Sequence, residues 1–270
     1  MEPRAFRTLL VTATSAENSR QIVRATLNRP ERRNAIGPEM INELRWLLDD
    51  VVADPSVAVL VLTGAGKAFC AGGDFAQMTG EGEAGVLPLH PDGGGDYAML
   101  LAAMHRSPVP IVARVNGHAM GGGLGLVAAS HFAVACSSAQ LGTPEIEVGL
   151  FPMMIMAVLS RLIPRRKLVS MMLLGERLSS SEAEEYGLVS YSVGDEALDA
   201  TTDLLVEKLV ARAPLAVRHG LSALAAQDDL ALGEALPLLR ERLGALLSTD
   251  DAREGLMAFL QKRKPVWTGK

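Results

Sequence analysis

Through about residue 200, short runs of Val, Ile and Leu alternate with stretches whose apolar residues recur at helical spacing. The apolar runs predict strands over Gln21–Leu27, Val57–Thr63, Pro110–Val115, Phe132–Cys136 and Leu188–Val193. Helical spacing predicts helices over Glu39–Val52, Tyr97–Met104, Leu124–Ser130, Ile155–Leu162 and Arg165–Leu174. Pro38 suits the start of the first of these, because its missing N–H would have no partner there anyway. Buried apolar strands alternating with helices argue for an α/β fold.

From about Asp203 the strand signal stops. Leu204, Leu205, Leu209 and Val210 make an apolar stripe, and helical segments follow to about Lys264. Ser248-x-x-Asp251 resembles a capping box that would open the last helix. The expected organisation is an α/β core over residues 1–200 and a helical C-terminal segment over residues 201–270. Between Thr79 and Asp96 the chain is crowded with Gly and Pro, including Gly93, Gly94 and Gly95, which predicts a mobile loop or lid. No internal sequence repeat stands out.

Composition narrows the function classes. Of 270 residues, 49% are apolar and 21% charged, as in an ordinary globular enzyme, and a formal charge of −5 supplies no basic field for nucleic acid or an anionic membrane. No window approaches the roughly twenty apolar residues of a membrane span. Glu2, Arg4 and Arg7 also interrupt the start of the chain, so a secretory signal is not expected. Cys70 and Cys136 cannot make a disulfide framework and lack metal-ligand spacing, which makes a reducing cytoplasm the expected location.

Three segments carry candidate chemistry. Gly64-Ala65-Gly66-Lys67-Ala68-Phe69-Cys70-Ala71-Gly72-Gly73-Asp74 follows one apolar strand, and Asn116-Gly117-His118-Ala119-Met120-Gly121-Gly122-Gly123-Leu124-Gly125-Leu126 follows another and leads into a helix. Small residues let a ligand approach the backbone, and free N–H groups at a helix start attract negative charge. Two such turns can aim N–H groups at one carbonyl oxygen, although each alone reads more readily as a plain tight turn. The third segment, Gly142-Thr143-Pro144-Glu145-Ile146-Glu147-Val148-Gly149-Leu150-Phe151-Pro152, sets carboxylates among apolar neighbours, where desolvation would favour acid–base work, although glutamates so placed, taken alone, are more often solvated loop charges.

Together these segments resemble the enoyl-CoA hydratases and isomerases of the crotonase superfamily. Leu27-Asn28-Arg29-Pro30-Glu31-Arg32-Arg33-Asn34-Ala35 looks like that family's early motif, and the two Gly turns, Pro144-Glu145 and the tail Ala258-Phe259-Leu260-Gln261-Lys262-Arg263 follow in its order. The resemblance implies a spiral of ββα units with a helical C-terminal part that builds homotrimers or hexamers. It implies oxyanion-hole N–H groups at Ala71 and Gly122, and Glu145 as a catalytic carboxylate. For the CoA moiety of an acyl-CoA substrate it implies contacts at Arg33, Ala35, Ala71, Gly72 and Asp74, with Phe259 and Lys262 reaching the nucleotide end. No metal and no cofactor beyond that CoA is expected.

One departure matters. Many hydratases in the family have a first catalytic glutamate at the position held here by Gly125. A single Glu145 fits double-bond migration better than hydration, while the rest of the resemblance keeps hydration open. Glu147, Glu81, Glu83, Asp92 and Asp96 are the candidate replacement acids. His131, where the family often has Asp, reads as a structural histidine at a strand start. Other reactions of the superfamily, such as thioester hydrolysis and decarboxylation, and a non-catalytic CoA-binding role remain alternatives. Gly123–Ala128 also fits the dinucleotide pattern G-x-G-x-x-A, but the strand Phe132–Cys136 ends in Ser137 and Ser138 where a ribose-binding acid should stand. The Met153-Met154-Ile155-Met156 run is expected either in the core or backing the acyl pocket.

Overall fold

The computed structural model describes residues 4–16, 20–78 and 87–270. In chain order the strands are β1 (Leu9–Ser15), β2 (Gln21–Leu27), β3 (Val57–Gly64), β4 (Ala68–Cys70), β5 (Ile111–Val115), β6 (His118–Met120), β7 (Phe132–Cys136), β8 (Gln140–Gly142), β9 (Arg177–Ser179) and β10 (Tyr191–Val193). The helices are α1 (Pro38–Ala53), α2 (Phe75–Met78), α3 (Tyr97–His105), α4 (Gly122–Ala128), α5 (Met153–Leu159), α6 (Arg165–Leu174), α7 (Ser180–Glu185), α8 (Leu198–Val210), α9 (Pro214–Gln227), α10 (Leu232–Leu247) and α11 (Asp250–Leu260).

One sheet has the order β1-β2-β3-β5-β7-β10 and a smaller one the order β4-β6-β8-β9. Only the pairs β1–β2 and β8–β9 are antiparallel. The consecutive pairs β3–β4, β5–β6 and β7–β8 each give one strand to each sheet, so the chain advances along both sheets as a spiral of strand, strand and helix. The repeat is one of backbone rather than of sequence. Its second strands are only 3 residues long, too short to show any apolar alternation. β3 reads clearly because it is covered on both faces, burying every residue except Thr63, whereas the mostly exposed β1 gives no strand signal.

Several boundaries differ from expectation. Leu188 and Val189 do not open the last strand; their N–H groups donate to the Ala183 carbonyl at 2.8 and 3.2 Å, closing α7, and β10 is only Tyr191–Val193. The cap of α11 is Thr249, whose Oγ1 accepts from Ala252 N at 3.1 Å, rather than Ser248. Asp251 instead accepts from the N–H groups of Thr268 and Gly269 at 2.8 and 3.1 Å, fastening the tail.

Of the expected mobile loop, residues 79–86 lie outside the described residues. The rest of it is fastened to α1. The Pro88 carbonyl accepts from Asn42 Nδ2 at 3.1 Å and Trp46 Nε1 at 2.9 Å, and the buried His90 sits 2.7 Å from Asp49. In the Met-rich run only Ile155 enters the core; Met153, Met154 and Met156 are exposed. α8 packs across β3, β5 and β7, with Leu198, Leu205, Val206 and Val210 buried. Among the described residues no helix is long and apolar enough to cross a membrane, and no three His, Cys, Asp or Glu side chains cluster as metal ligands.

Candidate active site

The site is assembled where the turns after β4, β6 and β8 meet, because those strands are neighbours in the smaller sheet. Asn34 holds the first turn in shape. It is fully buried and left-handed (φ 57°), and its Nδ2 donates to the carbonyls of Ala65, Ala68 and Phe69 at 2.9, 2.9 and 3.2 Å. Its Oδ1 accepts from Arg29 N at 3.0 Å, which ties the early motif to the same turn. Asn is among the few residues that accept a left-handed backbone at modest cost.

The two Gly turns abut. A Cβ built on Gly72 would stand 3.3 Å from the Met120 carbonyl oxygen, and one on Gly121 would stand 3.6 Å from Gly72 Cα. Gly122 is the first residue of α4, so the helix itself offers its N–H no partner. Ala71 does not match its expected role. Its N–H already donates to the Arg33 carbonyl at 2.9 Å. The next residues form a parallel bridge with Ile36, whose N–H donates to Gly72 O and whose carbonyl accepts from Asp74 N, both at 2.8 Å. In such a bridge the central residue, Gly73, turns its own N–H away from Ile36. Gly73 N–H, like the N–H of Gly72 before it, has no backbone partner among the described residues, which makes Gly73 a candidate donor of this turn.

Glu145 lies on the 3-10 turn Pro144–Val148 that leaves β8. The turn is anchored by the buried Thr143, whose Oγ1 donates to Met171 O at 3.0 Å, and is closed by the left-handed Gly149 (φ 76°). The carboxylate reaches the triple-Gly turn: a Cβ on Gly121 would stand 2.7 Å from Glu145 Oε1. Oε2 is buried and has no hydrogen-bond partner among the described residues. Burial pushes the Glu145 carboxyl above its ordinary range, only partly opposed by its own backbone N–H.

Gly125 is packed shut. A Cβ there would come within 3.0 Å of both the Tyr97 hydroxyl and Ile155 Cγ2. Tyr97, the first residue of α3 behind the Asp96 cap, donates its hydroxyl to the Gly122 carbonyl. Sequence reasoning missed this residue, because nothing near Tyr97 in the chain marks it; only the fold brings it to Gly122 and Gly125.

The candidate replacement acids among the described residues, Glu147, Asp92 and Asp96, are turned to other partners or to solvent. Glu147 is exposed on a 3-10 turn rather than on an extended segment sharing a face with Glu145, and lies 4.0 Å from Arg177. Asp96 accepts from Ala98 N and Met99 N as a helix cap, Asp92 is exposed, and Glu81 and Glu83 lie outside the described residues. The Cys70 thiol is pushed up to about 12 by burial and so is no nucleophile near neutrality. His131 Nδ1 accepts from Ile111 N at 3.0 Å, and burial, with His105 nearby, holds its pKa down to about 4, as befits a structural residue.

The residues expected at CoA are dispersed. Asp74 is buried 2.7 Å from Arg29 Nη1. Burial would raise its pKa, but the bonds from Arg29 and the Gln77 N–H outweigh that and hold it below the ordinary range. Arg33 is exposed and left-handed, and the Ala35 carbonyl accepts from Arg29 at 3.0 Å. Arg29, Arg32, Asp74 and Gln77 line a polar cavity of about 400 Å³, which neither Glu145 nor Gly122 borders. Phe259 is 81% exposed near the end of α11, and the left-handed Lys262 follows it.

The sequence matches the enoyl-CoA hydratase/isomerase family over residues 17–270. It is 34% identical over 255 residues to an (E)-benzylidenesuccinyl-CoA hydratase of Thauera aromatica, covering 94% of this chain and 98% of that one. It is 33% identical to the mitochondrial enoyl-CoA hydratase domain-containing protein 3 of Xenopus laevis, over 94% of this chain and 86% of that one. The crystal structure of an enoyl-CoA hydratase from Mycobacterium smegmatis superposes with a TM-score of 0.86 at 32% identity, covering 96% of this chain and 98% of that one. The spiral of strand pairs, the meeting of the Gly turns and these matches agree: the chain belongs to the enoyl-CoA hydratase/isomerase family of the crotonase superfamily.

Proposed function

We propose that the protein acts on the double bond of an acyl-CoA thioester, holding the enolate oxygen between backbone N–H groups and moving protons with Glu145 as its single carboxylate. The observation that carries this reading is Glu145 Oε2, buried without a partner beside two abutting Gly turns. A buried carboxylate oxygen left unpaired is costly, and active sites are where such groups are kept. Gly122 N–H and Gly73 N–H are the donors for the thioester oxygen. Negative charge building there is stabilised by donors already in place, and removing one such donor typically costs about 3 kcal/mol of transition-state stabilisation.

Double-bond migration needs one base to carry a proton between Cγ and Cα while the oxyanion site holds the dienolate. Gly125, with no room for an acid, favours this reading. Hydration is the second reading, favoured by hydratases such as the one from Thauera aromatica among the relatives. In it Glu145 takes a proton from water as the water oxygen bonds to Cβ. The electron pair of the double bond passes into the enolate, and Glu145 returns the proton to Cα. The CoA moiety would follow the Arg29–Ala35 and Gly72–Asp74 stretches, and Phe259 and Lys262 would cover it in a trimer or hexamer.

The test is to incubate the enzyme with a 2-enoyl-CoA and a 3-enoyl-CoA in D2O and resolve the products by mass. Glu145→Gln should lower kcat by roughly 100- to 10,000-fold for whichever reaction is found, the usual size of a general acid–base effect. Unchanged turnover in that variant would remove Glu145 from the mechanism.

A further inference from the structure

We propose that the Tyr97 hydroxyl holds the water for addition to Cβ, standing where the acid missing at Gly125 would otherwise reach. The inference rests on the acyl-CoA double-bond chemistry proposed above and gives hydration the second polar group it lacks. Three observations carry it. A Cβ on Gly125 would collide with the Tyr97 hydroxyl, so this oxygen occupies the exit of any side chain from position 125. The hydroxyl donates to the carbonyl of Gly122, the residue whose N–H is proposed for the thioester oxygen. Glu145, whose Oε1 lies against Gly121 of the same Gly turn, leaves Oε2 without a partner among the described residues.

A phenol has one proton to donate and two lone pairs to accept with. Tyr97 has directed its proton to Gly122, which leaves it an acceptor toward the site. A water donating one proton to Tyr97 and the other to Glu145 Oε2 would have its own lone pair free for Cβ. As the C–O bond forms, Glu145 takes one proton of that water and afterwards delivers it to Cα, while the other stays on the new hydroxyl. Tyr97 ends the cycle unchanged. Burial, with Cys70 and Glu145 nearby, pushes the phenol well above its ordinary range, in keeping with a group that orders water and does not ionise.

Tyr97→Phe keeps the ring and removes only the oxygen. The experiment measures two rates in parent and variant: hydration of a short 2-enoyl-CoA, and washing of deuterium from D2O into Cα of the corresponding saturated acyl-CoA. The exchange needs Glu145 and the oxyanion donors but no water at Cβ. Hydration should fall roughly 10- to 100-fold, the effect of losing one hydrogen bond to a reacting group, while exchange changes by less than about 3-fold, inside the scatter of such series. Equal falls in both rates would mean that Tyr97 acts only by holding Gly122, and would overturn the proposal. So would a variant that hydrates as fast as the parent. A parent enzyme that exchanges but does not hydrate would also overturn it, while leaving the Glu145 chemistry standing. A parent that neither exchanges nor hydrates would instead refute the acyl-CoA reading itself.

Discussion

Glu145 Oε1 stands 2.7 Å from the point that a Cβ on Gly121 would take, so the catalytic candidate and the triple-Gly turn leave no room for a methyl group between them. Gly121 also has φ +48° with ψ −122°, a combination outside the left-handed helical region that strains any side chain. Gly149 is left-handed, with φ +76° and ψ 16°, and a Cβ there meets nothing within 4 Å. Both alanine substitutions therefore carry backbone strain, and only Gly121→Ala adds a collision. Gly121→Ala should unfold at a lower denaturant concentration than Gly149→Ala, by about 1–3 kcal/mol. Equal stabilities would show that neither the collision with Glu145 nor the backbone of Gly121 costs the fold more than the left-handed turn at Gly149.

Restoring the missing acid should not restore a second acid. Gly125→Glu must displace both the Tyr97 hydroxyl and Ile155, and overpacking of this kind costs about 1–3 kcal/mol or more. The single substitution is expected to lower both Tm and hydration. Combined with Tyr97→Ala, which opens the space, it should cost less than the sum of the two separate changes, because the residues are in contact. A double-mutant cycle in urea measures this directly, and strict additivity would place Tyr97 away from position 125.

What the sequence discloses and what it conceals follow from how local each feature is. β3 and β7 are legible because two-sided burial writes a continuous apolar run, and β2 because its buried positions, Val23, Ala25 and Leu27, alternate along the strand. Glu145 and the Gly turns are legible because the residue types themselves carry the chemistry. β4, β6, β8 and β9 are hidden, being fixed by pairing with one another rather than by pattern. The resemblance points to Ala71 as the donor in the first turn, whereas in the fold Ala71 N is bonded to Arg33 O and the bridge at Ile36 turns Gly73 N–H outward, unpaired among the described residues. Such a distinction depends on a contact between segments about 35 residues apart, which no local spacing records. Tyr97 is hidden for the same reason.

The helical C-terminal part presents an apolar surface that a single copy leaves in water. Leu236, Leu243 and Leu247 on α10 are 58%, 54% and 56% exposed, and Phe259 and Leu260 on α11 are 81% and 74% exposed. Monomeric proteins seldom expose contiguous apolar patches beyond a few hundred Å². Multi-angle light scattering at micromolar concentration should therefore find a species of three copies or a multiple of three. Leu243→Glu should shift it toward smaller species. A monomer in the parent protein would refute the proposed assembly.

The raised proton affinity of Glu145 predicts two pH effects with opposite consequences. Burial disfavours its charged form, so in the folded protein it binds its proton up to a higher pH than in the unfolded chain. Between the unfolded and folded values the native state holds more protons, and by linkage stability falls as pH rises through that window. Below the unfolded value of about 4.3 both states are protonated and the penalty disappears. Glu145→Gln, neutral at every pH, should therefore raise Tm at pH 7 to 8. That gain should shrink as the pH is lowered and be gone near pH 4, provided both proteins are still folded there. Activity runs the other way, because the base must be ionised to take a proton. For the parent enzyme kcat/KM should rise with pH through a value above the ordinary carboxylate range, and this limb should be absent from whatever activity Glu145→Gln retains. Thermal melts and pH–rate profiles on the same two proteins test both effects together. A Tm difference that does not change between pH 4 and 8 would show that Glu145 is as well solvated in the folded protein as in the unfolded chain.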